Sequence, residues 1–230
     1  MNKVKLTFVA NKNISAETMH SLYTSVRFLN EKKENAEEEF KVFNNGRMAT
    51  IIMNENLIEN NQNNFTFMNF DGEIKLKLLK KEPFVSDVTI KQEDVVSVFG
   101  LISHTQKFYT NEDGSKRDNP VEYCVLNQLS QFKPKTKKQF LSYLTEKTGL
   151  DFISAEKEGN VSFERVVSDE NEIVNGKTNK KVLMRNIIAI NGSMLKVINS
   201  QVANSLSYKM IGKRKTYGFG NITILWLFYI

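Results

Sequence analysis

The fold is decided by residues 3–26, which read Lys3-Val-Lys-Leu-Thr-Phe-Val-Ala-Asn-Lys-Asn-Ile-Ser-Ala-Glu-Thr-Met-His-Ser-Leu-Tyr-Thr-Ser-Val26. Apolar and polar residues alternate over Lys3–Ala10, which predicts a half-buried strand. Ser15 and Thr18 then favour a helix start. The helix should carry one apolar stripe, formed by Met19, Leu22, Val26 and Leu29.

The rest of the first half predicts more strands. Asn44-Asn45-Gly46 favours a tight turn, so the flanking segments Glu39–Phe43 and Arg47–Met53 should form a hairpin. Residues 54–64 are weakly helical. Further strands are predicted at Phe65–Phe70, Glu73–Leu79 and Asp94–Ser103. Strand, helix, hairpin, short helix and strand is a ferredoxin-like order.

A polar loop at 111–120 predicts a domain boundary, giving domains 1–110 and 111–230. In the second domain we expect helices at Val121–Leu129 and Lys135–Thr148, the latter ended by Gly149. The expected strands are Asp151–Ala155, Asn160–Val167 and Lys181–Ile190. Asn191–Ser193 should be a turn, followed by a helix through Met194, Leu195, Ile198, Val202 and Leu206, then a final strand. The sequence thus predicts an α+β protein of two tandem ferredoxin-like domains.

A glycine-rich, cationic loop precedes the last strand, in the stretch Lys209-Met-Ile-Gly-Lys-Arg-Lys-Thr-Tyr-Gly-Phe-Gly-Asn-Ile222. Glycines at 212, 218 and 220 let the main chain approach a ligand closely. Lys213, Arg214 and Lys215 supply the positive charge that a phosphate requires. The alternative is an ordinary basic turn between a helix and a strand.

The charge distribution favours a polyanionic partner. The net charge is +6 over 230 residues. Residues 1–100 hold 13 Lys and Arg against 14 Asp and Glu, whereas residues 101–230 hold 19 against 12. The second half is therefore the predicted electrostatic footprint for nucleic acid. A solvated cationic surface without a partner is the alternative.

Several classes of protein are disfavoured by composition. The single cysteine, Cys124, forms no internal disulfide, and with His20 and His104 it does not make a four-ligand zinc site. The apolar stretch at the N-terminus is too short for a signal peptide, and Ile222–Ile230 covers about half a membrane span. We expect a cytoplasmic protein without cofactor or metal. Walker, G-x-G-x-x-G, HExxH and G-x-S-x-G motifs are absent from the sequence.

The first helix carries the predicted chemistry. His20, Tyr23 and Arg27 follow helical spacing, so they should share one face beside the apolar stripe. Histidine can act as base or acid near neutral pH when a 2′-hydroxyl attacks its own phosphate. Tyr23 would orient the phosphate or a proton, and Arg27 or the loop cations would stabilise the phosphorane charge. The alternative is a surface histidine beside a buried tyrosine.

These features resemble the CRISPR precursor-RNA endoribonucleases of the RAMP superfamily, and most nearly the processing nuclease of type I-E Cascade. The resemblance comprises the strand and helix with His20, the segment Leu101–Lys107 to Gly114–Arg117 with Pro120, Val121 and the later Phe140-Leu141, and the C-terminal loop Ile211-Gly212-x-x-Lys215-x-x-Gly218-x-Gly220. Met210 stands where the family loop usually has its first glycine.

The resemblance implies a nuclease that binds a CRISPR repeat hairpin and cuts at the 3′ base of the stem. The products would be a 5′-hydroxyl and a 2′,3′-cyclic phosphate. His20 and Tyr23 would be catalytic, and the loop from Lys213 to Gly220 would contact RNA. Precursor and mature CRISPR RNA and other Cascade subunits would be partners. Lys157 and Lys177 are the candidates for a basic catalytic residue in the second domain.

The remaining predicted RNA contacts are cations and one aromatic. An A-form stem is recognised mainly through its shape and phosphates. Stem contacts are predicted at Lys116 and Arg117 in a loop and at Lys133, Lys135, Lys137 and Lys138 around a helix start. A solvated face is the alternative for these cations. Tyr217 should stack on or touch RNA.

Three other functions compete with a metal-independent nuclease. An RRM-type module would explain Lys215–Phe219, but only one strand follows that motif. A non-catalytic RAMP-type subunit of a CRISPR effector complex would share the fold and the loop. A metal-dependent nuclease would need a carboxylate cluster at strand ends, which the sequence does not offer.

Overall fold

A computed structural model of the chain describes residues 2–27, 39–58, 62–69, 72–86, 89–103, 105–110, 115–124, 134–166, 170–174, 177–181, 187–212, 215 and 220–226. The chain forms two compact units. Unit 1 comprises Met1–Lys91 with Ser200–Thr223, and unit 2 comprises Gln92–Asn199 with Ile224–Ile230.

The described elements run in this order: β1 Lys3–Ala10, α1 Ala16–Val26, β2 Lys41–Asn45, β3 Met48–Asn54, a 3₁₀ turn Glu55–Leu57, β4 Asn64–Asn69, β5 Gly72–Pro83, β6 Val95–Ser103, β7 Thr105–Thr110, β8 Lys116–Cys124, α2 Pro134–Thr148, α3 Phe152–Lys157, β9 Phe163–Val166, β10 Glu170–Val174, β11 Lys177–Lys181, β12 Ile187–Lys196, α4 Ser200–Ser205 and β13 Asn221–Trp226.

Unit 1 contains a five-stranded sheet in the order β2-β3-β1-β5-β4. Each neighbouring pair is antiparallel. The inner order places β1 between β3 and β5, with α1 as the connection from β1 to β2, which is the ferredoxin-like arrangement. β4 is an additional edge strand, and the 3₁₀ turn takes the place of the second helix.

Local signals explain the start of this unit. Ser15 keeps an extended backbone, and its side chain accepts a hydrogen bond from the Thr18 N–H, which caps α1. Gly46 has φ 58° in the turn between β2 and β3, as the Asn-Gly pair predicts. The predicted strand, helix and hairpin are confirmed.

The core of unit 1 lies between α1 and one face of the sheet. Leu6 and Phe8 of β1, Val42 of β2 and Ile51 of β3 are buried there with Met19 of α1. Because side chains alternate along a strand, Lys5 and Lys41 project from the opposite face.

Unit 2 contains β6, β9, β12 and residues 224–226 of β13, which take part in a four-stranded sheet in the order β13-β6-β12-β9. Numbered by their place among these four strands, this is the order 4-1-3-2, again the ferredoxin-like order. β7 with β8, and β10 with β11, form separate antiparallel hairpins. The predicted α+β class with tandem ferredoxin-like strand orders is confirmed.

Three predictions in the second half are wrong. The predicted strand Asp151–Ala155 is the helix α3, because the Asp151 carboxylate accepts from the Ser154 N–H and caps it. Asn191–Ser193 is a bulge inside β12, with Gly192 at φ 68°, and the strand continues to Lys196 where a helix was expected. Residues 121–124 of the predicted helix Val121–Leu129 belong to the strand β8, and the others lie outside the described residues.

The boundaries of the two units differ from the predicted domain boundary between residues 110 and 111. β6, expected in the first domain, pairs along its length with β12 of unit 2. The segment Ser200–Thr223 clusters instead with unit 1. The glycine-rich loop therefore belongs to the same unit as α1.

Candidate functional site

His20 occupies a half-buried position in the middle of α1. Its backbone carbonyl accepts a hydrogen bond from the Thr24 hydroxyl at 3.0 Å, within regular helix. The imidazole thus projects from a helix that is capped at its start and anchored by a buried stripe. A side chain placed in this way can reach solvent and a ligand without unfolding the helix.

Tyr23 lies within the apolar stripe and not beside it, which corrects the prediction. Its side chain is 1% exposed and stacks on Phe40, with ring centroids 4.3 Å apart and planes 24° apart. Phe40 directly precedes β2 and is itself buried. Tyr23 therefore fastens α1 to the start of β2, one turn after His20.

Arg27 is the C-terminal cap residue of α1. Its backbone is extended, with φ −78° and ψ 145°, and its N–H donates to the Tyr23 carbonyl as the helix ends. Arg27 also forms an isolated antiparallel bridge with Ile58. Its predicted role as an RNA contact stays a prediction.

The glycine-rich loop is closed at its base by backbone contacts. The Ile211 N–H donates to the Gly220 carbonyl at 2.9 Å. Gly220 has φ 91°, and a Cβ there would lie 1.8 Å from the Ile211 oxygen. Gly212 has φ 81°. Both glycines have a positive φ, a backbone conformation that favours glycine, as predicted.

Met210 anchors the loop to the sheet. It is 1% exposed within the core of unit 1, and its sulfur accepts the Val42 N–H of β2 at 3.2 Å. An apolar side chain at this position therefore packs the start of the loop into the core.

Lys215 connects the loop to the helix. Its ammonium lies 5.9 Å from the centroid of the Phe40 ring, within cation–π range. Since Phe40 also stacks on Tyr23, the order Lys215, Phe40, Tyr23 links the loop to α1 inside unit 1. Lys213, Arg214, Tyr217 and Gly218 lie outside the described residues.

Lys41 is a further site residue that the sequence analysis missed. Its ammonium donates to the Leu206 carbonyl at 2.7 Å and to the Ile222 carbonyl at 3.2 Å, on either side of the loop. Burial lowers its pKa to about 8. The only available signal was a lysine on the polar side of a predicted hairpin strand, which is too common to single out a residue.

The other predicted contacts belong to unit 2. Lys116 and Arg117 begin β8 and are not in a loop. Lys135, Lys137 and Lys138 lie on the confirmed helix α2, and the side chain of Lys138 is exposed. Lys157 ends α3 and Lys177 begins β11, whereas Lys133 and His104 lie outside the described residues. By contrast, His20, Gly212, Lys215 and Gly220 all belong to unit 1.

Solved structures similar to this chain match nearly its whole length. The CRISPR-associated protein Cas6e from Escherichia coli K-12 is 10% identical at a TM-score of 0.48, with 97% of this chain and 100% of that chain covered. Thermus thermophilus Cse3 bound to an RNA that represents a pre-cleavage complex is 10% identical at 0.47, covering 98% and 100%. A CRISPR endoribonuclease Cse3 bound to a 19-nucleotide RNA is 11% identical at 0.49, also covering 98% and 100%.

No family model and no curated protein matches the chain. Within the described ranges, no group of three or more His, Cys, Asp or Glu is placed to hold a metal ion. Among the helices of those ranges, none is long and apolar enough to cross a membrane.

Proposed function

We propose that this protein is a metal-independent endoribonuclease that binds CRISPR repeat hairpins. It would cleave precursor CRISPR RNA at the 3′ base of the stem and leave 5′-hydroxyl and 2′,3′-cyclic phosphate ends. The observation that carries the proposal is the Lys215–Phe40–Tyr23 link, because it ties the glycine-rich loop to the helix that bears His20. The sequence resemblance to the RAMP nucleases and the two ferredoxin-like strand orders also support it.

The chemistry needs one proton acceptor, one proton donor and a group that stabilises charge. His20 would take the proton of the 2′-hydroxyl or protonate the departing 5′-oxygen. Lys213, Arg214, Lys215 and the backbone N–H groups of the glycine-rich loop would neutralise the developing phosphorane charge. Tyr23, buried in the stack on Phe40, would act as a positioning residue that fixes the rotation of α1.

Cleavage of a cognate repeat hairpin in EDTA tests this proposal. The wild-type chain should cut the RNA, and His20→Ala should bind it equally well but cleave about 100-fold more slowly or worse, as expected for the loss of a general acid or base. His104→Ala is the matched control, since it removes the only other histidine. Unimpaired cleavage by His20→Ala would remove His20 from the mechanism.

The alternative is a non-catalytic RAMP-type RNA-binding subunit of a CRISPR effector complex. The burial of Tyr23 favours it, because His20 is then the one of the two catalytic residues predicted in α1 that lies outside the core. A wild-type chain that binds the hairpin tightly and leaves it intact, with or without Mg²⁺, would establish this alternative. Tight binding with cleavage only after Mg²⁺ addition would instead indicate a metal-dependent nuclease.

A further inference from the structure

A cavity of about 550 Å³ lies on the sheet of unit 1. Lys5 of β1, Lys41 and Phe43 of β2, and Phe84 just after β5 line it, together with Ser207 and Thr223 from the C-terminal segment. This volume falls within the range of pockets that hold small ligands.

The cavity and α1 lie on opposite faces of the sheet. Leu6 and Val42 are buried against α1, and strand alternation directs their neighbours Lys5 and Lys41 the other way. Lys5 and Lys41 both lie opposite Ile52 of the intervening strand β3, so the two lysines flank one residue. The cavity is therefore separate from the His20 side of unit 1.

The ammonium of Lys41 has no acidic partner among the described residues. No carboxylate in the described part of the chain forms an ion pair with it, and burial alone shifts its pKa. Glu82, which also lines the cavity, pairs with Lys5 and Lys80. Buried charges in proteins are normally paired because the desolvation cost is large.

The hydrogen bonds of Lys41 leave room for a ligand. Two carbonyls occupy two of the three N–H groups of the ammonium. The third donor, the nearby Lys5 and the hydroxyl of Thr223 offer the donors that a phosphate oxygen accepts. The phenyl rings of Phe43 and Phe84, which also line the cavity, provide surfaces on which a base can stack.

We propose that this cavity is a nucleotide-binding site, in which Lys41 and Lys5 hold a phosphate group and Phe43 or Phe84 contacts the base. The ligand is either a free nucleotide or one nucleotide of a single-stranded RNA segment. The site does not depend on the proposed nuclease activity, because it uses neither His20 nor the glycine-rich loop. A ligand bound here would nevertheless affect that loop, because Lys41 also donates hydrogen bonds to the Leu206 and Ile222 carbonyls on either side of it.

Calorimetric titration of the full chain tests the site, with adenosine 5′-monophosphate, inorganic phosphate and a short unstructured oligoribonucleotide as separate probes. We expect at least one nucleotide probe to bind the wild-type chain and to bind Lys41→Met at least about 10-fold more weakly, since a charge-assisted hydrogen bond is lost. Lys77→Met is the matched control, because Lys77 is an exposed lysine of the same sheet that does not line the cavity.

The pattern among the probes identifies the source of the nucleotide. Mononucleotide binding that depends on Lys41 indicates a free nucleotide, whereas such binding by the oligoribonucleotide alone indicates an RNA strand. Either result supports the site. Failure of all three probes, or equal affinities for the wild-type chain and Lys41→Met, would overturn it.

A second readout covers the case in which Lys41→Met does not fold. In the wild-type chain, NMR of the lysine ammonium groups should show the pKa of Lys41 rising when a probe binds, because a nearby anion favours the charged form. An unchanged pKa at saturation would contradict the site. His20→Ala should bind the probes like the wild-type chain, so this result and the cleavage result can fail separately.

Discussion

Gly220 is the residue at which the glycine-rich loop is most constrained. Gly220→Ala combines a φ of 91° with a Cβ 1.8 Å from the Ile211 oxygen, so the loop base must open. Gly159 has φ 76° but no atom within 4 Å of the position that a Cβ would take, which makes Gly159→Ala the matched control. We expect the control to cost about 1–2 kcal/mol of unfolding free energy and Gly220→Ala clearly more, by urea denaturation. RNA affinity should fall only in Gly220→Ala; equal stability losses in the two variants would contradict the close approach.

The lowered pKa of Lys41 predicts how the stability of the folded protein depends on pH. In the unfolded chain this lysine keeps its proton up to its ordinary pKa of 10.5, whereas in the folded chain it releases the proton near 8. Between these values the unfolded state binds more protons, so the stability contributed by this group rises with pH. Wild-type stability should therefore increase relative to Lys41→Met between about pH 8 and about pH 10.5, measured by urea denaturation. A constant difference between the two proteins would contradict the buried ammonium.

At the scale of elements, the N-cap of α1 controls how firmly His20 is presented. Ser15→Ala removes the acceptor for the Thr18 N–H and should cost about 1 kcal/mol, whereas Ser15→Asp keeps an acceptor and should cost little. Thermal unfolding of the two variants beside the wild-type chain measures the difference. A loss of similar size in both would show that the cap does not stabilise α1.

Elements whose signals are local could be predicted from the sequence. β1 and the β2–β3 hairpin follow alternation and a specific turn, and α2 follows apolar spacing up to Gly149. The full length of β12 could not be predicted, because the bulge at Gly192 forms only when the strand pairs with β6. The apolar spacing over 194–206 is typical of a helix, but pairing with β6 keeps Met194–Lys196 in the sheet.

The site was predictable only in part for the same reason. The positive φ of Gly212 and Gly220 could be predicted from the local sequence, and the structure has both at positive φ. Whether Tyr23 faces solvent depends on Phe40, and the importance of Lys41 depends on carbonyls 165 and 181 residues away. Contacts of such separation leave no periodic signal in one sequence.

For the whole molecule, the proposed RNA binding should depend on salt through the loop cations. Replacing Lys213, Arg214 and Lys215 together with Ala should weaken hairpin binding and reduce the slope of log affinity against log salt by about 2–3, since fewer counterions are released. A triple replacement of Lys75, Lys77 and Lys81 removes the same charge from β5 and should leave the slope nearly unchanged. An unaltered slope in the loop variant would place the phosphate contacts elsewhere.

The discontinuity of unit 1 has a consequence for biosynthesis. Lys41 and Val42 are translated early, but their partners Leu206, Met210 and Ile222 emerge from the ribosome only after all of 92–199. During synthesis the β2 edge of the N-terminal sheet therefore stays uncovered until these partners have been translated. An unpaired strand edge can associate with other chains, so aggregation is a risk during this interval. Both units therefore depend on late segments of the chain, Ser200–Thr223 in unit 1 and Ile224–Ile230 in unit 2, so neither can finish folding as soon as its first segment is made.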